Sequence, residues 1–208
     1  AQPSLHLDRS AAATAHWLTG IGLDPAATLL LNPLPHTHVS GLMPWWRAGC
    51  WGAGHQPLAP GLMKTPTELL AFCQGLPAWR TTSALLSLVP TQLARLLAHP
   101  DGVAFLQQLQ LIWIGGAALP PPLADQARAL QLPLAPCYGS TETAAMVTAL
   151  PPDRFLAGEP GCGDPLMDVE LRLAADGALQ VRTDRLALGR WPADQPDRWE
   201  PLRDPDGW

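Results

Sequence analysis

The run Tyr138-Gly139-Ser140-Thr141-Glu142-Thr143 puts an aromatic ring, hydroxyls and a carboxylate in one short stretch. Such a set suits a bound nucleotide. The tyrosine offers a ring face to a base. Thr141 can donate to a phosphate, and Glu142 can hold a magnesium ion. A second stretch, Gly115-Gly116-Ala117, supplies glycines where a flat ligand can approach the backbone closely. Each stretch follows a short apolar run, residues 109–114 and 132–137, that reads as a strand. Two strand-to-loop turns of this kind are expected to meet at one rim.

A third stretch is Pro35-His36-Thr37-His38-Val39-Ser40-Gly41-Leu42. On a strand, His36 and His38 would share a face and suit a metal. Two nitrogens are too few for zinc, and no nearby Cys, Asp or Glu completes a site. A buried, hydrogen-bonded histidine is the plainer reading. The other stretches also have plain readings. A strand ending in a Ser/Thr turn is common, and a strand-to-helix connection needs glycine without any ligand. Gly115-Gly116 matches neither GxGxxG nor a P-loop, which disfavours a dinucleotide. Trp45, Trp46 and Trp51 read as core packing, with Trp46 a candidate pocket wall.

The elements that must position these residues alternate. Residues 10–20 read as a helix, 28–31 as a strand, and 42–50 as a buried helix bracketed by Gly41 and Gly49. Thr65-Pro66-Thr67-Glu68 has the form of a capping box at the start of a helix that stops at Gly75. Strand 83–89, helices 91–98 and 102–108, strand 109–114, helix 121–130 and strand 132–137 follow. Short apolar strands between amphipathic helices predict an α/β fold of parallel β-α-β units with helices on both faces. Ligands of such sheets bind at the carboxyl ends of the strands. Beyond residue 150 the pattern changes. Residues 168–173 and 178–182 alternate apolar and polar around Asp176-Gly177, which predicts a hairpin and a small antiparallel β region near the C-terminus. Residues 189–208 read as loop, with Asp204-Pro205-Asp206-Gly207-Trp208 an exposed turn.

A chain of 208 residues can bury a real core. Its net charge of −5 gives no reason to expect nucleic acid or an anionic membrane surface. No apolar run is long enough to span a bilayer. Cys50, Cys73, Cys137 and Cys162 form no CxxC, and reduced thiols in a cytoplasmic protein are expected.

Taken in order, P-x-x-H-x-x-G-L over Pro35 to Leu42, GGA at Gly115 to Ala117 and YGxTE at Tyr138 to Glu142 resemble the acyl-adenylate-forming (AMP-binding) superfamily. The likeness runs from about residue 24 to 208. Within it, the H-V-S-G-L run and the compact spacing are most similar to the o-succinylbenzoate–CoA ligases of menaquinone or phylloquinone synthesis. The resemblance implies an ATP-dependent acid–CoA ligase, with ATP, CoA, Mg2+ and a small carboxylic acid as its partners. It implies that Tyr138 packs on adenine, Thr141 contacts the α-phosphate and Glu142 binds magnesium. Gly115, Gly116, Ala117, Gly139 and Ser140 would complete the nucleotide site, while His38, Ser40 and Gly41 would border the acyl and CoA pocket. Residues 1–150 would be the α/β portion and 151–208 the antiparallel portion of one N-terminal domain.

The sequence departs from that family in its cations. The family's glycine-rich phosphate loop ends in lysine, and a second lysine lies on a mobile lid domain. Here Lys64 is the only lysine, and it falls in neither motif. Asp204 and Asp206 precede the position of the family's ribose-binding aspartate and do not inherit its role. The expectation is an interior fragment, without lid and without ligase activity by itself. Ligases for another aryl or medium-chain acid, a non-catalytic nucleotide- or acyl-binding module, and more remotely a metal hydrolase on His36 and His38 are the competing readings.

Overall fold

The computed structural model describes residues 2–191, 194, 197–203, 207 and 208. The Asp204-Pro205-Asp206 part of the expected exposed turn lies outside the described residues. Helix α1 (Ser4–Gly20) leads into β1 (Thr28–Asn32), α2 (Val39–Trp51) and β2 (Gly54–Pro57). Next come α3 (Pro66–Gln74), β3 (Ser83–Leu88), α4 (Pro90–Leu97), α5 (Pro100–Leu106), β4 (Leu111–Ile114) and α6 (Pro121–Ala129). Strand β5 (Leu134–Ser140) then turns back as β6 (Ala145–Ala149). The rest is α7 (Pro152–Leu156), β7 (Asp164–Pro165), the hairpin β8 (Val169–Leu173) and β9 (Leu179–Thr183), and a short pair β10 (Gly189–Arg190) and β11 (Glu200–Pro201).

One seven-stranded sheet has the order β2-β1-β3-β4-β5-β6-β7. The first five strands are parallel, and β6 and β7 are added antiparallel. Alternate side chains of the apolar strands go to opposite faces. Leu31, Leu86, Ile112 and Leu134 pack against α3 to α7 through Leu69, Leu93, Phe105, Ala127 and Phe155. Leu30, Leu85, Leu111 and Trp113 pack against α1 and α2 through Leu18 and Ala48. Each fully buried leucine contributes roughly 1.5–3 kcal/mol of transfer free energy, so the two layers dominate the stability. Helices therefore cover both faces, as the strand–helix alternation implies. Proline opens α3, α4, α5, α6 and α7, where its missing N–H costs nothing and its fixed φ suits the first turn. The Asp176-Gly177 turn closes β8–β9 as expected: Gly177 has φ +84 and Asp176 Oδ1 accepts from Ala178 N at 3.0 Å.

Several boundaries differ from the sequence reading. Helix α1 starts at Ser4 rather than residue 10, because His6 and Leu7 are buried and extend its packed side. Helix α2 starts at Val39, so Gly41 does not open it and Gly49 does not close it. Gly52, with φ +69, is the left-handed cap. The Thr65 hydroxyl donates to Glu68 Oε2 at 3.1 Å rather than forming the reciprocal backbone bonds of a capping box. Strand β5 continues through Tyr138, Gly139 and Ser140, so the motif begins within a strand and its turn comes later, at residues 141–144. Strands β2 and β6 were not foreseen, nor was the β10–β11 pairing within the segment read as loop.

Gly41 lies inside α2 with its α-carbon against the preceding loop. A Cβ there would sit 2.3 Å from Pro35 O and 2.5 Å from Leu34 O, whereas one at exposed Gly49 would meet nothing within 4 Å. Gly41→Ala is expected to destabilise the chain by about 1–3 kcal/mol through overpacking. Gly49→Ala should stabilise it by roughly 0.5–1 kcal/mol, because a helix-interior glycine is replaced without a clash. Urea denaturation midpoints of the two variants should move in opposite directions, and a shift of the same sign would contradict the packing assigned to Gly41.

Candidate functional site

The carboxyl ends of β3, β4 and β5 open into a cavity of about 290 Å³. This is at the small end of the ligand pockets of globular proteins, roughly 300 Å³ and upward. Gly115 and Gly116 follow β4, and Tyr138, Gly139, Ser140 and Thr141 end β5 or follow it; all six line the cavity. The two glycine-bearing stretches therefore do share one rim. His38 and Ser40 line it from the loop before α2 and from that helix's first turn.

Three of the expected residues lie elsewhere. Ala117 is exposed beyond the lining, because the chain turns outward after Gly116, which has φ +78. Gly41 is buried against Leu34 and Pro35, and its role is to let α2 pack on that loop. Glu142 is half-buried and outside the lining. Trp46 is no cavity wall either: its Nε1 donates to Asp8 Oδ1 at 2.9 Å, while Trp45 is 52% exposed.

The tyrosine ring is exposed at the rim, with 47% of its surface accessible, so a face is free to stack. Gly139 is required by the strand pairing. The β5–β6 register shifts between Tyr138 and Gly139, and a Cβ on Gly139 would stand 2.1 Å from Ala145 O. Thr143 pins the turn that follows: its Oγ1 accepts from Ser140 N at 3.0 Å and donates to Ala145 O at 2.7 Å.

The floor holds a residue the sequence reading did not single out. Arg47 projects from α2, on the same stripe as Ser40 and Met43, and lines the cavity with them. It is 5% exposed, its Nε and Nη2 have no hydrogen-bond partner among the described residues, and its guanidinium lies 5.6 Å from the centre of the Trp113 ring. Trp113 Nε1 is likewise buried without a partner. Burial holds the Arg47 guanidinium down to about 10, with the nearby Cys137 acting against this and the Arg185 charge adding to it; Arg47 stays charged at neutral pH. The signal available in sequence was the spacing of Ser40, Met43 and Arg47 at i, i+3 and i+7 on an otherwise apolar helix.

Cys137 also lines the cavity, donating to Ile114 O at 3.4 Å. Burial pushes its thiol up to about 12, opposed by Arg47 and reinforced by Cys162. A thiol held protonated is a poor nucleophile.

His36 and His38 do not share a strand face. They lie in the loop between β1 and α2 and diverge. His36 Nε2 is 3.0 Å from Asn32 Nδ2, which also lies 3.2 Å from His55 Nε2 and donates to Gly41 O at 2.8 Å. Asn32 Oδ1 accepts from Leu34 N at 3.2 Å. This buried amide therefore ties β1, the loop and α2 together. Among the described residues no group of three or more His, Cys, Asp and Glu side chains is arranged to hold a metal. Likewise, among them no helix is long and apolar enough to cross a membrane.

A profile of AMP-binding enzymes matches residues 6–185. The 2-succinylbenzoate–CoA ligase of Salmonella typhimurium is 34% identical over 183 residues, which is 86% of this chain and 34% of that enzyme. The Escherichia coli K12 ligase of the same name is 34% identical over 166 residues, 77% of this chain and 31% of that enzyme. The structure of E. coli MenE with a bound phenylether-linked analogue of OSB-AMS superposes with a TM-score of 0.73 at 28% identity, covering 100% of this chain and 40% of that one. The chain spans about a third of the length of the curated relatives it matches.

Burial, and after it the charge of His36, lowers the pKa of His55 below the ordinary histidine value of about 6.5. The folded chain thus favours neutral His55, whose Nε2 lies 3.2 Å from the Asn32 amide nitrogen. Below about pH 6.5 the unfolded chain takes up this proton first, so the stability that neutral His55 contributes is present above that value and is lost as pH falls through it. Replacing His55 by Gln, which can still accept from Asn32, should reduce the acid loss, the remainder coming from His6, whose pKa burial also lowers. Urea midpoints at pH 7.5 and 5.5 measure it, and equal pH dependence in both proteins would remove His55 as the cause.

Proposed function

This chain belongs to the AMP-binding enzyme family, and from that membership we propose that it carries the acyl- and adenine-binding part of a 2-succinylbenzoate–CoA ligase. The complete reaction joins a carboxylate oxygen to the α-phosphorus of ATP and expels pyrophosphate. The sulfur of CoA then attacks the acyl carbon of the mixed anhydride, and AMP leaves. In this reading the exposed Tyr138 ring stacks on adenine beside the Gly115-Gly116 backbone. Thr141 donates from the rim to the α-phosphate. His38 and Ser40, at the mouth, border the path of the incoming thiol.

The observation that carries the substrate assignment is Arg47. An isolated guanidinium buried among apolar walls costs several kcal/mol unless an anion meets it. A carboxylate is the planar, two-oxygen partner that its fork geometry matches. 2-Succinylbenzoate has two carboxylates and an aromatic ring. One carboxylate can be activated while the other pairs with Arg47, and the ring lies against Trp113. Benzoate or a medium-chain fatty acid has a single carboxylate, and activating it would leave Arg47 unpaired.

Glu142 fits the role of a magnesium ligand by chemistry: Mg2+ is commonly held by one or two carboxylates together with substrate phosphates. Such an ion would offset phosphate charge. We place the reaction in the cytoplasm, where the unpaired thiols of Cys50, Cys73, Cys137 and Cys162 would stay reduced.

Calorimetric titration of the chain tests the assignment. 2-Succinylbenzoate should bind at least tenfold tighter than benzoate, and Arg47→Met should abolish that margin while leaving AMP affinity within twofold. Equal affinity of the wild-type chain for both acids would overturn the dicarboxylate reading. Among the described residues, Arg47 is the only lysine or arginine lining the cavity, and Lys64 lies apart from it beside α3. Adenylation draws on cations around the phosphorus, so the chain alone should release no more pyrophosphate from ATP than its Glu142→Ala variant. A coupled phosphate assay would detect a difference, and a clear excess would show that the described residues suffice.

A further inference from the structure

Three successive carbonyl oxygens of the turn after Thr141 are each held from outside it. Glu142 O accepts from Ala187 N at 2.6 Å. Thr143 O accepts from Arg185 Nη1 at 2.7 Å, and Ala144 O from Ser10 Oγ at 2.6 Å. Such restraint has a reason in the backbone. Ala144 has φ +51 and Ala145 φ +75, left-handed conformations that cost residues with a Cβ about 1–2 kcal/mol each. Without outside contacts the turn would relax and carry Thr141 off the rim.

Arg185 is the centre of this arrangement. It is completely buried. Its Nε and Nη2 engage Asp168 at 2.7 and 3.3 Å, and its Nη1 is shared between Thr143 O and, at 3.3 Å, Ser10 Oγ. The end of β9 and the turn after it, which carries Arg185, are anchored in the same way. Thr183 O accepts from Arg203 Nη2 at 2.8 Å, Asp184 O from Arg9 Nη1 at 3.1 Å, and Arg185 O from Gln2 Nε2 at 3.0 Å. A buried ion pair is seldom a net source of stability compared with apolar packing of similar volume. What Arg185 provides that an apolar side chain would not is a fixed donor for the turn.

We infer that Arg185 is a positioning residue: with Asp168 orienting it, it fixes the Thr143 carbonyl and so holds Thr141 at the rim of the cavity. The claim about nucleotide affinity rests on the reading of that rim as an adenylate site; the claim about the turn does not.

The test removes both members of the pair, Arg185→Met with Asp168→Leu, so that no charge is left buried alone. Amide hydrogen exchange by NMR reads the turn through Ser140, Ala144 and Ala187, and the sheet through Ile112 and Gly115. Exchange at the three turn amides should accelerate at least tenfold with the sheet unchanged. AMP affinity, by calorimetry, should fall about tenfold while 2-succinylbenzoate affinity stays within twofold. Unchanged exchange at the turn overturns the proposal. So does acceleration throughout the sheet, which would make the pair a support of the whole fold, and so does a loosened turn with undiminished AMP binding. If the wild-type chain binds no AMP, the adenylate reading fails, and the exchange data still decide whether Arg185 holds the turn.

Discussion

Parallel pairing of β3, β4 and β5 is the constraint on which the site depends. Parallel neighbours end on the same edge; β3 and β4 leave the sheet there for a helix, and β5 runs on past it. Val89, Gly115 and Tyr138 therefore arrive together although they are far apart in sequence. The register is enforced by burial on both faces. Slipping β4 by one residue would exchange Ile112 and Ile114 with Leu111 and Trp113 between two differently shaped layers. The cavity is thus a by-product of the core, and its rim is as well defined as the core is.

The antiparallel return at β6 adds what parallel strands cannot. β5 runs past the sheet edge to Ser140 because β6 pairs with it there, and Gly139 permits the close crossing. That extension projects Tyr138 to the surface on a hydrogen-bonded strand instead of a free loop. It also obliges the chain to reverse within a few residues, which forces the left-handed alanines at positions 144 and 145. The strain and the reach of the motif have one cause.

Much of the fold was legible because its signals are local. β1, β3, β4 and β5 are each built around a short apolar run, proline marks the start of five helices, and Asp176-Gly177 announces its hairpin. The meeting of Gly115-Gly116 with Tyr138–Thr141 was legible too, since β-α-β alternation dictates it. What escaped depends on distant partners. β2 is Gly-His-Gln-Pro, with no apolar alternation, and is a strand only because β1 pairs with it. β6 is extended only because β5 is. Gly41, expected to touch ligand, proved to be a packing glycine because the loop it contacts is not helical or extended in any regular way. Arg185 bonds to groups 17, 42 and 175 residues away, and nothing in its immediate sequence hints at any of them.

The two buried arginines show how satisfaction of hydrogen bonds separates structure from recognition. Both are buried, and either would be costly if left alone. For Arg185 the protein provides a carboxylate, a hydroxyl and a carbonyl, so every nitrogen of the guanidinium is engaged and nothing is left for a ligand. For Arg47 the nearest compensation is the face of Trp113, worth about 2 kcal/mol when desolvated. That is less than the several kcal/mol of an unpaired buried charge. An anionic group entering the cavity would offset the remaining deficit. Because Arg47 lies at the floor and the rim lies at the strand ends, an anion bound there would direct the rest of its molecule outward, toward Thr141 and the turn that Arg185 holds in place.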